Sequence, residues 1–356
     1  MRGLYRVMSA SEDLIRGSAK GEASVPLSVL DLATVGVEDS PSDALAGTTE
    51  LAKRVEELGY HRMWVAEHHG MPGIASSSPA VVIAHLAAHT RTLRLGSGGV
   101  MLPNHAPLVI AEQFGTLQAL HPGRIDLGVG RAPGTDQATA RALRRTEGPL
   151  SAEDFPQQLG ELIAFLDDDF PLDHPYAEVQ SVPHGPLPPV WLLGSSGFSA
   201  QLAGALGLPF AFAHHFSAQN TLPALELYRE SFQPSEVLAE PYSMIGVQAV
   251  AADTEEEALD VVRPIALSML KLRQGVPGKQ PTRQQARDYP YTELDQAFVD
   301  HWLADAVHGT PDAVRAGLEE LRERTGADEL MITANLPDAE TKLRSFELIA
   351  KSFRMI

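Results

Sequence analysis

The sequence predicts a (β/α)8 TIM barrel, an α/β fold, from three observations. Eight short apolar runs alternate with longer amphipathic stretches, which is typical of parallel strands joined by helices. The chain has 356 residues, a length that one α/β barrel can use in full. The first apolar run is not followed by a G-x-G-x-x-G turn, so a doubly wound open sheet is the weaker alternative.

The predicted elements follow the chain in strict alternation. Strands are predicted at residues 26–32, 63–67, 93–100, 125–130, 190–194, 209–213, 242–251 and 329–333. Helices are predicted near residues 44–58, 78–90, 107–120, 151–166, 197–206, 218–232, 254–271, 310–325 and 338–353.

The chain is predicted to form one domain with an extension and an insertion. Residues 1–24 are polar and aperiodic, so we expect them to lie outside the fold, and residues 25–356 to form the barrel. Stretches 130–149 and 272–309 interrupt the alternation, and loops of that length are usually functional or disordered. The second is a long insertion before the last βα unit. Residues 271–288 carry five basic side chains and one acid, which suits either an anionic partner or a solvated loop.

Composition excludes several classes of protein. The net charge of −18 opposes binding to nucleic acid, whose affinity depends on Lys and Arg. The absence of cysteine removes disulfides, thiolate nucleophiles and Cys-ligated zinc. No stretch reaches the roughly 20 apolar residues of a membrane span, and the N-terminus lacks the apolar run of a signal peptide. We therefore expect a cytoplasmic protein with no membrane or nucleic-acid partner.

Histidines follow two of the predicted strands. His68 and His69 come after the second strand, and His214 and His215 after the sixth. At the C-terminal face of a barrel such side chains can transfer protons or bind a metal, although packing at a strand end explains them as well. Carboxylates are sparse at the other strand ends. A metal-dependent hydrolase using these four histidines is therefore a weak alternative, and we predict no metal.

Glycine and serine follow the third and fifth strands. Gly98 and Gly99 would let a flat ligand approach the backbone, although a bulge is an equal explanation. Gly194 begins a Gly-Ser-Ser run that leads directly into a helix, where hydroxyls and free N–H groups suit a phosphate, or where a serine simply caps the helix. Arg131, after the fourth strand, could bring a guanidinium to that phosphate.

Four motifs, taken in order, resemble the bacterial luciferase-like flavin-dependent monooxygenases. They are Ala-Glu-His-His at 66–69, Gly-Ser-Gly-Gly-Val-Met-Leu-Pro-Asn-His at 96–105, Pro-Gly-Arg-Ile-Asp-Leu-Gly-Val-Gly-Arg-Ala-Pro-Gly at 122–134 and Gly-Ser-Ser at 194–196. The resemblance covers about residues 25–356 and is closest to single-subunit, two-component members of bacterial metabolism.

The resemblance implies a function and roles for individual residues. The family is a TIM barrel that takes FMNH2 from a separate NAD(P)H:flavin reductase and reacts it with O2 to a C4a-(hydro)peroxyflavin, which oxygenates a small organic substrate. His68 matches the catalytic histidine. Gly98 and Gly99 match a cis peptide under the flavin ring. The flavin-phosphate contacts correspond to Arg131, Gly194, Ser195, Ser196 and Ser199. Residues 272–309 match a mobile lid, and family members often form homodimers.

Two other functions of the same barrel stay open. One is an F420-dependent oxidoreductase that transfers hydride, and the other is a flavin-binding protein without turnover. The chain also departs from luciferase, since Gly130 stands where luciferase has a reactive cysteine. The resemblance does not identify the organic substrate.

Overall fold

Eight parallel strands form a closed barrel, which confirms the predicted fold. The structure is a computed structural model that describes residues 12–132, 134–144 and 154–356. The strands are β1 (Leu27–Asp31), β2 (Arg62–Val65), β3 (Arg94–Ser97), β4 (Val100–Met101), β5 (Ile125–Gly130), β6 (Val190–Gly194), β7 (Phe210–Phe212), β8 (Ser243–Ala251), β9 (Val307–Gly309) and β10 (Glu329–Thr333). Eight of them are neighbours in the order β10-β1-β2-β3-β5-β6-β7-β8, and β10 also pairs with β8, so these eight close on themselves. The short β4 and β9 pair with β5 and β8 respectively.

Helices occupy the stretches between the strands. They are α1 (Glu12–Ile15), α2 (Pro41–Glu57), α3 (Pro79–His89), α4 (Pro107–Leu120), α5 (Gln137–Arg144), α6 (Phe155–Asp167), α7 (Gly197–Leu206), α8 (Thr221–Ser231), α9 (Glu255–Arg273), α10 (Arg283–Asp288), α11 (Glu293–Asp305), α12 (Pro311–Thr325) and α13 (Ala339–Ser352). Local sequence explains their starts. Proline opens α2, α3, α4 and α12, where its missing N–H costs nothing. Capping boxes open α2, α10 and α11.

The N-terminal segment packs against the barrel from residue 12 onward. Ile15 is fully buried within the hydrophobic core, and its carbonyl oxygen accepts a hydrogen bond of 2.6 Å from Nη2 of Arg62. The expectation that this segment lies outside the fold is therefore wrong for residues 12–24, because the end of the barrel needs an apolar cover. Residues 1–11 of the predicted extension, and 151–153 at the start of a predicted helix, lie outside the described residues.

A buried ion network closes the N-terminal end of the barrel. Arg62 begins β2 and contacts Asp126 through Nη1 and Glu329 through Nε, both at 2.9 Å, and all three side chains are completely buried. Arg94 also pairs with Asp126. Burial alone would raise the pKa of Asp126, but Arg94 and Arg62 outweigh it and hold this pKa below its usual value. We call this group, Arg62, Arg94, Asp126 and Glu329, the barrel floor.

The predicted insertion covers the C-terminal face. It contains α10, α11 and β9, which the sequence pattern did not predict. Helix α5, in the other interrupting stretch at 130–149, was not predicted either. Strand β9 pairs in parallel with the last residues of β8, with Ala249 opposite Val307. Gln280 pairs with the loop after β1, donating to the oxygen of Val35 at 2.9 Å and accepting from the N–H of Val37 at 3.0 Å. The insertion is thus fastened at two edges of the barrel mouth. None of the described helices is long and apolar enough to cross a bilayer.

Candidate functional site at the barrel mouth

The predicted site residues lie where strands end at the C-terminal face. His68 follows β2, Gly98 and Gly99 connect β3 to β4, Arg131 follows β5, and His215 follows β7. The serines follow β6 at the start of α7. Because these strands are neighbours in one closed sheet, their ends surround a single opening.

The Gly98–Gly99 peptide bond is cis, as the resemblance implies. Both glycines are packed too closely to tolerate a side chain. A Cβ on Gly98 would lie 2.7 Å from Cδ1 of Leu30, and one on Gly99 would lie 2.9 Å from the oxygen of Gly128 and 3.0 Å from Cδ2 of Leu193. The backbone at this point therefore forms a flat surface without side chains.

His68 is a partly buried, uncharged histidine at neutral pH. Its backbone N–H donates to the oxygen of Ser76 at 3.1 Å, which fixes the chain after β2. Burial lowers the pKa of His68 to about 4, the negative Glu67 opposes this, and the neighbouring His215 and His69 add to it. Nδ1 of His68 is buried and has no hydrogen-bond partner among the described residues. An unpaired nitrogen of this kind is ready to bind a ligand or exchange a proton.

His215 is held flat against β8. Its Nδ1 lies 2.9 Å from the carbonyl oxygen of Gly246, so Nδ1 carries the proton and Nε2 remains an acceptor. A Cβ on Gly246 would come within 2.9 Å of the same ring, so glycine is needed at this position of β8. Burial lowers the pKa of His215, which keeps the ring neutral.

Glu67 organises a hydrogen-bond network that the sequence argument missed. Its Oε1 lies 2.8 Å from Nε2 of His69 and 2.8 Å from Nε2 of His105, and its Oε2 accepts from the N–H of Met101 at 3.0 Å. Burial opposes its ionisation, but the hydrogen bonds from His105 and His69 dominate and lower the pKa of Glu67. The motif containing His105 was visible in the sequence, although its contact with a residue 38 positions earlier was not.

This network also bears on the metal-hydrolase alternative. Within the described ranges, the ligating atoms that converge belong to Glu67, His69 and His105, all within 4.8 Å of one another. The two histidines already use the carboxylate as their hydrogen-bond partner, so the group is satisfied without an ion. His214 is engaged elsewhere, with Nδ1 2.8 Å from Oγ1 of Thr221. The four histidines considered from the sequence therefore do not form one ligand set.

Arg131 lies beside the N-terminus of α7. Its guanidinium carbon is 4.3 Å from the centroid of the Phe198 ring, and Phe198 belongs to the first turn of that helix. This cation–π contact places the positive charge at the helix end that already favours anions. Among the described residues, no carboxylate forms a salt bridge with Arg131, so the guanidinium can pair with an anionic ligand.

The serines surround the same helix end. Ser196 is the N-cap residue, yet its hydroxyl makes no capping hydrogen bond. Ser195 is exposed and Ser199 is buried at the first turn. Gly194 allows Ser199 to approach, because a Cβ on Gly194 would lie 2.7 Å from Cβ of Ser199. Free backbone N–H groups, uncommitted hydroxyls and a guanidinium thus meet at one point, which is the chemistry of a phosphate site.

The basic residues of the insertion are used within the insertion and its supports. Arg287 and Arg283 pair with Asp260 of α9 at 2.5 and 3.8 Å. Lys279 donates to the oxygen of Asp39 at 2.6 Å, and Arg273 lies 4.8 Å from the ring of Phe298. The excess of positive charge therefore holds the insertion on the barrel rather than collecting beside Arg131.

Comparisons with known proteins agree with this arrangement. The sequence pattern described as luciferase-like monooxygenase matches residues 25–329. The chain belongs to the luciferase-like monooxygenase family. The luciferase-like monooxygenase of Escherichia coli strain K12 is 46% identical, over 92% of this chain and 96% of that protein. The N-acetyl-S-alkylcysteine monooxygenase of Bacillus subtilis strain 168 is 35% identical, over 92% and 97%.

A solved structure shows the same fold. The crystal structure of apo-MsnO8 has a TM-score of 0.84 and 37% identity, covering 93% of this chain and 99% of that one. Membership of the luciferase-like monooxygenase family makes the chain a flavin-dependent oxidoreductase. The comparisons thus confirm the resemblance that the four sequence motifs indicated.

Proposed function

We propose that the chain binds FMNH2 supplied by a separate NAD(P)H:flavin reductase and uses it with O2 to oxygenate a small organic substrate. The observation that carries the proposal is the position of Arg131 on the N-terminus of α7, at the same face as His68 and the cis Gly98–Gly99 bond. A phosphate site and a flat surface at one barrel mouth fit the two ends of FMN. Family membership supports the same reaction.

The phosphate would be held by groups that are otherwise unused. Arg131 supplies a fork of donors, Ser195 and Ser196 supply hydroxyls, and Ser199 and Gly194 shape the helix end. The helix dipole adds a favourable potential for the anion. In a chain of net charge −18, such a local site is necessary to attract a phosphate.

The ring system would lie against Gly98 and Gly99, near His68. When bound, reduced FMN supplies the electrons that activate O2. His68 stays neutral at pH 7 because its pKa is about 4, so its unpaired Nδ1 can accept a proton or donate one it already carries. The neighbouring Glu67 is hydrogen-bonded to the His69 side chain and to the Met101 N–H of β4, which holds the chain around His68 in place. The insertion over the mouth would keep water away from the reaction.

Cofactor titrations test the phosphate site. For Arg131→Ala we expect the Kd for FMN to rise about 10- to 100-fold, since a hydrogen bond to a charged group contributes about 1.5–3 kcal/mol. The Kd for riboflavin, which lacks the phosphate, should stay nearly unchanged. Flavin fluorescence quenching measures both constants, and Arg131→Lys should restore part of the loss.

Two further arms separate this function from its alternatives. Titration with F420 should give weaker binding than FMN, whereas tighter binding of F420 would favour hydride transfer. FMNH2 bound to the protein should reoxidise with O2 at a rate different from that of free FMNH2. The proposal would be contradicted if bound and free FMNH2 reoxidised at the same rate, or if Arg131→Ala lost as much affinity for riboflavin as for FMN.

A further inference from the structure

A cavity lies between the barrel mouth and the insertion. Its volume is about 310 Å³. The barrel contributes His215 and Gln248, α9 contributes Met269, and the insertion contributes Phe298 and Trp302. The cavity thus has a polar side formed by the barrel and an apolar side formed by α9 and α11.

We propose that this cavity binds the organic substrate, and that Gln248 selects small uncharged compounds that carry a carbonyl-type oxygen. The proposal rests on the proposed function for the reaction itself. The binding site and its selectivity rest on the cavity alone.

The cavity adjoins the place proposed for the flavin ring. His215 lines it, and His215 is close enough to His68 to contribute to the lowered pKa of that residue. The two histidines come from β2 and β7, whose ends face the same opening. A compound in the cavity would therefore lie beside the reacting part of the cofactor rather than at its phosphate.

The inner wall of the cavity carries no formal charge at neutral pH. Burial lowers the pKa of His214 to about 4 and also lowers that of His215. The charged or titratable residues of the outer lining are Arg273, Asp305 and His301, and all three are exposed to solvent. Arg273 and Asp305 are opposite in sign, and Nε2 of His301 lies 3.8 Å from Oδ2 of Asp305. A charged substrate would lose its hydration without gaining a counter-charge, which is costly. The cavity therefore favours neutral compounds.

Gln248 provides an unused donor at the cavity wall. It lies in β8 with 3% of its surface exposed, and its Nε2 has no hydrogen-bond partner in the described chain. Asn335 fixes the orientation of the amide: Thr333 donates to Oδ1 of Asn335 at 3.1 Å, which leaves Nδ2 of Asn335 to donate to Oε1 of Gln248 at 3.5 Å. Nε2 therefore needs an acceptor. A buried donor left unpaired is unfavourable, so a ligand oxygen that pairs with it gains affinity.

The volume and the walls limit the rest of the molecule. A cavity of about 150 Å³ holds one benzene, so 310 Å³ admits a compound of roughly two rings or a short chain. Phe298 and Trp302 offer aromatic faces to its apolar part. The substrate class is therefore a small apolar compound with one acceptor oxygen.

A set of four compounds of equal shape tests this selectivity. Acetophenone, α-methylstyrene, benzoate and benzamidine each join a phenyl ring to a planar group, which is respectively a neutral acceptor, a hydrocarbon, an anion and a cation. Ligand-detected NMR titrations measure their affinities for the full chain with and without FMN. Acetophenone should bind, and the two charged compounds should bind at least about 10-fold more weakly.

Substitutions at Gln248 isolate the donor. Gln248→Leu and Gln248→Met both remove it without adding a charge, and Met keeps the length of the side chain, which limits the change in packing. Both substitutions should weaken the binding of acetophenone about 3- to 10-fold and leave the affinity for α-methylstyrene nearly unchanged. Trp302→Ala should weaken both compounds together, because it removes apolar wall.

The outcomes separate this inference from the proposed function. The selectivity would be overturned if both Gln248 variants lost equal affinity for acetophenone and α-methylstyrene, or lost affinity for neither. Preferential binding of benzoate would also overturn it. If the Gln248 variants selectively lost affinity for acetophenone but the chain failed to bind FMN, the inference about the cavity would be supported and the monooxygenase proposal contradicted. Both Gln248 variants should bind FMN as the unsubstituted chain does, since the phosphate site lies at α7.

Discussion

The two ends of the barrel treat buried polar groups in opposite ways. At the floor, Arg62, Asp126 and Glu329 are fully buried and satisfy one another through ion pairs, although Nε of Arg94 has no partner among the described residues. At the mouth, His68 and Gln248 each retain a buried nitrogen without a partner in the described residues. Both ends are built from the same eight strands. The difference indicates that the N-terminal ends of the strands stabilise the fold, whereas their C-terminal ends keep polar groups that can bind a ligand.

Charge follows the same division. The floor holds ionised groups, because each charge has an opposite neighbour that compensates for lost hydration. The mouth holds histidines that burial keeps neutral. The charged groups at the mouth are few: the carboxylate of Glu67 is held by its hydrogen bonds, Asp31 is paired with Lys342, and Arg131 lies at the proposed phosphate site. The histidines there offer hydrogen bonds rather than charge.

Removing Arg62 should give the largest effect on stability. Arg62→Ala leaves Asp126 and Glu329 buried without their partner, so we expect the free energy of unfolding to fall by about 3–5 kcal/mol. Urea denaturation followed by circular dichroism measures the change. The matched control is Arg344→Ala, which breaks an exposed pair with Asp253 and should cost less than about 1 kcal/mol. Equal effects of the two variants would refute the special role of the floor.

A side chain at Gly99 should disturb the mouth. In Gly99→Ala the new Cβ would lie 2.9 Å from the oxygen of Gly128, so the backbone must shift, at a cost of about 1–3 kcal/mol. Because the shift alters the surface proposed for the flavin ring, FMN affinity should fall more than in Arg62→Ala. Gly185→Ala is the control, since an added Cβ there meets no atom within 4 Å. Unchanged FMN affinity in Gly99→Ala would argue against a ring site here.

The lowered pKa values of the buried histidines should make the stability of the protein depend on pH. The pKa of His214 is about 4 in the folded protein and about 6.5 when the chain unfolds, so the unfolded chain binds more protons between these values. Stability should therefore fall as pH decreases from about 6.5 to 4. His214→Asn should reduce this slope by up to about 1.4 kcal/mol per pH unit. His61→Asn near the floor should act with the same sign, since the pKa of His61 is also about 4; an unchanged slope in both variants would contradict these shifts.

The barrel could be predicted because its strands are encoded locally. Runs such as those of β5 and β8 are mostly apolar and are buried along their whole length, as strands covered on both faces are. The helices of the insertion were not predicted, because α10 and α11 are short or largely polar and depend on capping boxes and on contacts with α9.

The site was predictable in part. His68, Gly98, Gly99, Arg131 and the serines were identified through motifs, and the structure gathers them at the barrel mouth, while their roles stay predictions. The Glu67 network and the unpaired Gln248 depend on partners far away in the chain, so spacing alone does not reveal them. Gln248 did carry a signal, because a glutamine within the apolar run of β8 is unusual.

The double fastening of the insertion has a consequence for how this scaffold can be changed. The apolar wall of the cavity comes from one continuous stretch between β8 and α12, and it is joined to the barrel by β9 and by Gln280. The residues at α7 that are proposed to bind the phosphate belong to a different part of the chain. We therefore expect that a stretch from a relative that keeps both attachments can be grafted in to alter which compounds the cavity accepts, while the proposed cofactor site is left unchanged.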